Sequence, residues 1–118
     1  MTVSARIFYI FTSLFLVVFF PPTYVFAEKI YTIVIKENRF NPIELEVPAA
    51  VKVKLVIDNQ DATAEEFESY DLNREKIIPG KSKGIIFIGP LKKGEYKFFG
   101  EFHPGTAQGV IRVVEHTK

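Results

Sequence analysis

The 118-residue sequence contains no cysteine, no tryptophan, only two histidines and a single methionine, which is the first residue. Without cysteine there can be no disulfide, no iron-sulfur ligation, no thiolate nucleophile and no sulfur-rich zinc site. An excess of one charge is also missing, because 15 Lys and Arg residues stand against 14 Asp and Glu residues. We therefore expect no nucleic acid partner, since phosphate binding needs a net basic surface.

Charge is almost absent from residues 1–27, where Arg6 is the only charged side chain. An apolar run over residues 7–20 follows that arginine, and a pair of prolines then ends any helix. Ala27 directly precedes two charged residues and offers the small side chain that signal peptidase requires. The pattern is typical of a signal peptide cleaved after Ala27.

This interpretation divides the chain into a signal peptide, residues 1–27, and one small domain, residues 28–118, exported to the periplasm. The alternative is an uncleaved N-terminal anchor that holds the domain on the periplasmic side. The uncharged stretch of residues 7–27 is just long enough to span a bilayer.

Alternation of apolar and polar side chains with a period of two runs through the domain and predicts about seven or eight short strands. Turns rich in Pro, Gly and Asn separate them, and no window shows the 3.6-residue period of a helix. The pattern predicts an all-β, antiparallel β-sandwich with a single core. The predicted strands cover residues 31–36, 43–47, 51–57, 66–70, 76–78, 84–88, 95–99 and 110–114.

Charge is unevenly distributed along the domain, although its totals cancel. Residues 61–75 hold six acidic side chains against Arg74, and residues 76–97 hold six lysines against a single glutamate. Two arrangements remain open: two separate solvated faces, or an acidic strand paired beside basic ones. For Arg74 and Glu75 we expect either an ion pair or two charges on a strand edge. If the acidic segment instead binds a partner, we expect Asp71 and Glu75 to do so.

The two histidines lie in different contexts. His116 belongs to the C-terminal tail, where we expect a solvated side chain. His103 lies within residues 100–109, a glycine-containing loop between two predicted strands, at an end of the sandwich where side chains converge. His103 is therefore the candidate imidazole ligand, although a hydrogen bond to the backbone would also explain a histidine there.

Several segments, taken in order, resemble the cupredoxin family; they are residues 45–49, 53–61, 64–67, 79–82, 94–104 and 109–113. More narrowly, residues 66–69 and 100–104 are similar to the cupredoxin-like components of bacterial periplasmic iron-uptake systems of the ferrous-iron permease type. The resemblance implies a Greek-key β-sandwich that binds a metal ion. It also implies an iron permease or a periplasmic iron-binding protein as a partner.

The sequence departs from the blue-copper pattern of that family at three of four ligand positions. In that pattern a His stands at the position of Glu65, a Cys at Gly100, a His at His103 and a Met near Thr106 and Ala107. Only His103 is kept. Because a type 1 copper site needs a thiolate, the chain is not expected to be a blue-copper electron carrier.

Carboxylates around one imidazole replace the missing ligands. The candidate metal ligands are His103, Glu66, Glu101, Glu65 and Glu68. Alternation places Glu66 and Glu68 on one face of a strand, and it places Glu101 on the same side as His103. Carboxylates with a single His favour iron, manganese or Cu(II) over Cu(I). A carboxylate-rich site would also bind Fe(III) more tightly than Fe(II), as a ferroxidase requires.

Two classes of function follow from these residues. The first is an exported metal-binding protein that binds iron or copper and serves iron uptake, as a carrier or by oxidising Fe(II). The second is a metal-free interaction module that docks on a membrane or periplasmic partner through the acidic segment. A hydrolase using paired carboxylates has little support, because the sequence contains no Ser/His/Asp order and no phosphate-binding loop.

Overall fold

The computed structural model describes residues 2–23 and 28–115. Nine strands lie within the second of these stretches, and neither stretch contains a helix. The strands are β1 (Lys29–Lys36), β2 (Arg39–Asn41), β3 (Glu44–Pro48), β4 (Val53–Asn59), β5 (Glu65–Ser69), β6 (Arg74–Ile78), β7 (Ser82–Ile88), β8 (Gly94–Gly100) and β9 (Gln108–Val114).

The strands form a four-stranded sheet of order β2-β1-β4-β7 and a five-stranded sheet of order β3-β9-β8-β5-β6. The predicted all-β sandwich is confirmed, and eight of the nine strands overlap a predicted segment. Both sheets are mixed rather than purely antiparallel, because β1 runs parallel to β4 and β3 runs parallel to β9. The unpredicted strand is β2, whose three residues are too few to show an alternating pattern.

The core lies between the sheets and is built by the predicted alternation. In β4, for example, Val53, Leu55 and Ile57 are buried, whereas the residues between them are partly exposed. An aromatic cluster fills one part of the core, where the Phe98 ring lies 5.0 Å from Phe40 and 5.1 Å from Phe67, measured between centroids. This packing fixes the position of β5 against β8.

A buried asparagine positions the turn that leads into β5. The Asn59 side chain is fully buried, and its Nδ2 donates to the carbonyls of Thr63 at 2.9 Å and Ile78 at 3.1 Å. Its Oδ1 accepts the backbone N–H of Asp61 at 3.1 Å. Because each polar atom has a partner, the buried amide stabilises this turn rather than straining it. The start of β5, at Glu65, is thereby held in place.

Residues 2–23 contain no strand or helix. In the part of the chain that the structure describes, no helix is long and apolar enough to cross a membrane. The expected cleavage site at Ala27 and the tail histidine His116 lie outside the described residues. The signal peptide and the periplasmic location therefore stay predictions.

Candidate functional site

Strand β5 divides the predicted ligands between two environments. Glu65, Phe67 and Ser69 point into the core and are buried, whereas Glu66 and Glu68 lie on the outer side of the five-stranded sheet and are partly exposed. The alternation predicted for this strand is therefore present. It separates Glu65 from the other two glutamates by the thickness of the sheet.

The interior pair consists of Glu65 and His103. The Glu65 side chain is 2% exposed, and its Oε2 lies 2.7 Å from Nδ1 of His103, whose side chain is 35% exposed. Since a carboxylate accepts hydrogen bonds, Nδ1 of His103 is the donor. The other carboxylate oxygen, Oε1, accepts the backbone N–H groups of Glu66 and Phe102, each at 2.9 Å. One buried carboxylate thus joins β5 to the loop that follows β8.

Two small residues surround this carboxylate. Gly100 ends β8, and a Cβ atom added there would lie 2.6 Å from Cδ of Glu65 and 2.7 Å from Cβ of Ala107. Ala107 is fully buried. Separations below 3.0 Å are closer than carbon atoms pack in proteins. The Glu65 carboxylate therefore occupies the space that a side chain at Gly100 would need.

The outer acidic cluster consists of Glu66, Glu68 and Glu75. Each contributes one carboxylate oxygen, and the three oxygens lie within 4.8 Å of one another. Glu75 joins the group because β5 and β6 pair antiparallel, which places Glu75 directly opposite Glu68. Like charges directly opposite one another across two strands repel and destabilise a sheet.

The electrostatic effect of the outer acidic cluster is visible at Glu68. Partial desolvation raises the pKa of the Glu68 carboxyl, and the negative charge of Glu75 and a hydrogen bond with it raise the pKa further. Glu66 and Glu101 add smaller repulsive contributions in the same direction. Glu101 is therefore a fourth acidic neighbour of this cluster.

The outer acidic cluster has no paired basic side chain among the described residues. Among the described residues, no Lys or Arg forms an ion pair with Glu66, Glu68 or Glu75. Arg74, next to Glu75 in sequence, instead donates from Nε to the carbonyl of Phe87 at 2.9 Å. Arg74 and Glu75 therefore form no ion pair, and instead both are exposed charges on the edge strand β6, as the other alternative predicts. The alternative of an acidic strand paired beside basic ones does not hold at Glu68. Its neighbours on the adjacent strands are Glu75 and Phe99.

The family can now be identified by comparison. Residues 9–113 match the family described as cupredoxin-like domain. This chain belongs to the cupredoxin-like domain family. Over 81 residues, or 69% of its length, it is 51% identical to an uncharacterized protein of Rickettsia prowazekii (strain Madrid E). Those residues amount to 65% of that protein, so the cupredoxin-like chain spans under two thirds of its curated relative.

Solved structures with this fold include copper proteins. Auracyanin A, a "blue" copper protein from Chloroflexus aurantiacus, aligns over 75% of this chain and 100% of its own, with a TM-score of 0.65 and 15% identity. The metal-binding domain of a Cu(I)-exporting P-type ATPase from Streptococcus pneumoniae aligns over 75% of this chain and 87% of its own, with a TM-score of 0.63 and 13% identity. At these identities the likeness shows the fold alone.

Type 1 copper does not fit the interior of this cupredoxin-like domain. The positions that the blue-copper pattern assigns to Cys and to Met are Gly100 and a loop position near Thr106 and Ala107. Gly100 and Ala107 carry no ligand atom on their side chains, and the Thr106 hydroxyl donates to the carbonyl of Asn38 at 2.6 Å. Glu65 already binds three N–H donors, one of which is the imidazole of His103. The donor set also contains no sulfur, which a type 1 site requires.

The structure thus separates the predicted ligands into two groups. Glu65 and His103 bind each other, whereas Glu66 and Glu68 lie in the outer acidic cluster with Glu101 nearby. Strand β8 ends at Gly100 and residues 101–103 form turns and a bend, so the alternation used to place Glu101 beside His103 does not extend to them.

The two residues predicted to bind a partner also lie apart. Glu75 belongs to the outer acidic cluster, a position that pairing of residues 65–69 with 74–78 as a hairpin would have revealed. Asp71 lies in the turn between β5 and β6, where its Oδ2 accepts the backbone N–H of Lys97 at 2.8 Å. Asp71 therefore holds the turn against β8.

Proposed function

We propose that this cupredoxin-like domain is exported to the periplasm and binds a hard metal cation, iron or Cu(II), at the outer acidic cluster, in the service of iron uptake. The observation that carries the proposal is the convergence of three carboxylate oxygens from Glu66, Glu68 and Glu75 within 4.8 Å. The fold supports it as well, because its structural neighbours include copper-binding proteins.

A cation would remove the repulsion that the cluster carries without one. Glu68 and Glu75 face each other across adjacent strands without a paired basic side chain among the described residues. Oxygen ligands suit iron, manganese and Cu(II), whereas Cu(I) prefers sulfur. The cluster is also partly exposed, so a bound ion can be exchanged with a partner such as an iron permease or a periplasmic iron-binding protein.

The preference of carboxylates for Fe(III) over Fe(II) is compatible with a ferroxidase as well as with a carrier. Oxidation of Fe(II) also requires an electron acceptor, whereas transfer of an ion requires only the site. A carrier is therefore the simpler form of the proposal.

The test is isothermal titration calorimetry, in which the purified protein is titrated with Cu(II) and, under anaerobic conditions, with Fe(II). We expect about one equivalent to bind, and we expect Glu68→Gln/Glu75→Gln to weaken binding at least tenfold while the far-UV circular dichroism stays unchanged. The matched control is Glu44→Gln/Glu95→Gln, which removes the same charge from the same sheet where both carboxylates pair with Arg112. Equal affinity in the two double variants would contradict the proposal.

The second candidate is a metal-free interaction module that docks on a membrane or periplasmic partner through the acidic surface. The interior favours it, because the Glu65 carboxylate occupies the space that a ligand side chain at Gly100 would need. Any ligand of the native state in excess raises the melting temperature by mass action. A melting temperature that no metal ion raises would favour the docking module over the metal carrier.

A further inference from the structure

The interior of the domain contains a carboxylate at the place where the blue-copper pattern of the family brings its ligands together. Glu65 itself stands at the position of one ligand, and Gly100 stands at another. A side chain at Gly100 would meet Oε2 of Glu65 at 2.8 Å and Cβ of Ala107 at 2.7 Å. The space between these positions is therefore filled by the carboxylate.

The carboxylate makes the connections that hold this end of the sandwich together. It accepts three hydrogen bonds, from the backbone of Glu66 in β5 and from Phe102 and His103 in the loop after β8. The same loop is closed by the N–H of Gly100, which donates to the carbonyl of Ala107 at 2.8 Å. Glu65 thus fixes the loop to strand β5, although Glu65 and His103 lie 38 positions apart in the sequence.

A metal ion in this space would have to displace bonds that are already made. If Nδ1 of His103 turned toward a metal, or if Oε2 of Glu65 coordinated one, the 2.7 Å bond between these two atoms would be lost, whereas Oε1 would keep its two N–H donors. Taking away a hydrogen-bond partner of a buried carboxylate is costly. Across the described residues, every buried polar side-chain atom already has a partner.

We propose that the Glu65 carboxylate replaces the metal ion as the tie between β5 and the β8–β9 loop, so that this interior binds no metal and the fold does not depend on one. The proposal concerns the interior alone. It holds whether or not the outer acidic cluster binds a cation.

The first experiment isolates the interior by removing the outer acidic cluster with Glu66→Gln/Glu68→Gln/Glu75→Gln. The variant protein is incubated with Cu(II) and gel-filtered, and a second sample is dialysed against EDTA. We expect less than 0.1 equivalent of retained copper, no imidazole nitrogen coupling in the electron paramagnetic resonance spectrum, and the same melting temperature in both samples. Copper bound through His103, or a melting temperature lowered by EDTA, would overturn the proposal.

Failure of the proposed function gives a different result in this experiment. If the outer acidic cluster binds no metal, the wild-type protein and the triple variant will both retain none, and the interior proposal stands. If the interior binds copper, the triple variant will retain it and its Glu65→Leu derivative will change the spectrum.

The second experiment tests the tie itself. Glu65→Leu keeps a similar volume but leaves the N–H groups of Phe102 and Glu66 without an acceptor, so we expect a melting temperature lower by roughly 10 °C or more. Glu65→Gln retains an acceptor for those groups and should melt between Glu65→Leu and the wild type. Glu66→Gln, one residue along the same strand and facing outward, is the matched control and should melt within about 2 °C of the wild type.

The order of these melting temperatures decides the outcome. If Glu65→Leu has the same melting temperature as Glu66→Gln, the Glu65 carboxylate does not hold β5 to the β8–β9 loop. If Glu65→Leu does not fold, a Glu65→Gln protein that melts below the wild type in EDTA supports the proposal. A Glu65→Gln protein that melts with the wild type, or one that Cu(II) stabilises after the outer acidic cluster has been removed, would overturn it.

Discussion

Glu65 and Glu66 are neighbours in one strand, yet their carboxylates lie in opposite surroundings. The carboxylate of Glu65 is buried between the sheets and accepts hydrogen bonds from Glu66, Phe102 and His103. The carboxylate of Glu66 lies on the outer side, with the carboxylates of Glu68 and Glu75. The two carboxylates therefore differ in their partners as well as in their exposure. The buried one is surrounded by donors, and the exposed ones face other acids.

This difference also separates two kinds of site. The Glu65 carboxylate of the interior pair needs no ligand, because both of its oxygens accept N–H groups of the chain. The outer acidic cluster carries a repulsion that a cation would relieve, and binding to the native state alone would add to the free energy of unfolding. A protein that needs a metal to fold would show the opposite distribution, with its unsatisfied ligands in the interior.

The largest expected effect comes from adding one carbon atom to the interior. In Gly100→Ala the new Cβ would lie 2.6 Å from Cδ of Glu65. Overpacking of this kind costs about 1–3 kcal/mol, and displacement of the carboxylate places the expected loss of unfolding free energy near the upper end, at about 3 kcal/mol. Urea denaturation followed by circular dichroism measures it.

Gly105→Ala is the matched control for this substitution. Gly105 belongs to the same loop, but no atom lies within 4 Å of a Cβ built there. We expect its unfolding free energy to stay within about 0.5 kcal/mol of the wild type. Equal stability of the two alanine variants would show that the interior around Glu65 is loosely packed. That result would contradict the contrast drawn between the interior pair and the outer acidic cluster.

A smaller effect of opposite sign is expected on the outer side. Glu75→Lys replaces the repulsion between Glu68 and Glu75 with an attraction across the same strand pair, which is worth about 0.5–1 kcal/mol. In the presence of EDTA the variant should therefore be more stable than the wild type by about that amount, as measured by urea denaturation. It should also lose the metal binding that we propose for the cluster.

The control for this prediction is Glu115→Lys, which makes the same change of charge at an exposed position outside the strands. Its stability should stay within about 0.5 kcal/mol of the wild type and its metal binding should be retained. Stabilisation by both variants would point to the net charge of the domain instead of the cluster.

Much of the fold was predictable, because a half-buried strand alternates in sequence as it does in space. The alternation of Val53, Leu55 and Ile57 predicted β4 correctly. The parallel pairing of β1 with β4 was not predictable, since alternation carries no information on strand direction. Strand β2 was missed because its three residues show no period.

The candidate site was predictable only where it depends on a local pattern. Alternation placed Glu65 on one side of β5 and Glu66 on the other, and the structure agrees. The bond between Glu65 and His103 joins residues 38 positions apart, so no local sequence pattern predicts it. Both residues were assigned to a metal because they stand at ligand positions of the blue-copper pattern and their types suit a metal, whereas the fold brings them close enough to bind each other.

The smallest expected effect is the dependence of the outer acidic cluster on pH. Desolvation and the charge of Glu75 raise the pKa of Glu68 in the folded state above the value of 4.5 used for an unperturbed glutamate. A group with a raised pKa contributes stability below its unfolded pKa, and that contribution is lost as the pH rises through the folded pKa. Glu68→Gln removes this loss. Its stability relative to the wild type should therefore increase as the pH rises from 4 to 7 in EDTA, measured by urea denaturation.

Asp61 provides the contrast of sign that makes this small effect decisive. The backbone N–H of Asn38, and then that of Glu37, hold the pKa of the Asp61 carboxyl below its usual value, through bonds of 2.9 and 2.8 Å. A lowered pKa gives stability that is present above the unfolded pKa and lost as the pH falls through the folded pKa. Relative to the wild type, Asp61→Asn should therefore become less stable, and Glu68→Gln more stable, as the pH rises. If both differences change in the same direction, the two pKa values are not shifted in opposite directions. That result would contradict the causes assigned to them, which are desolvation, the charge of Glu75 and a hydrogen bond with it for Glu68, and backbone hydrogen bonds for Asp61.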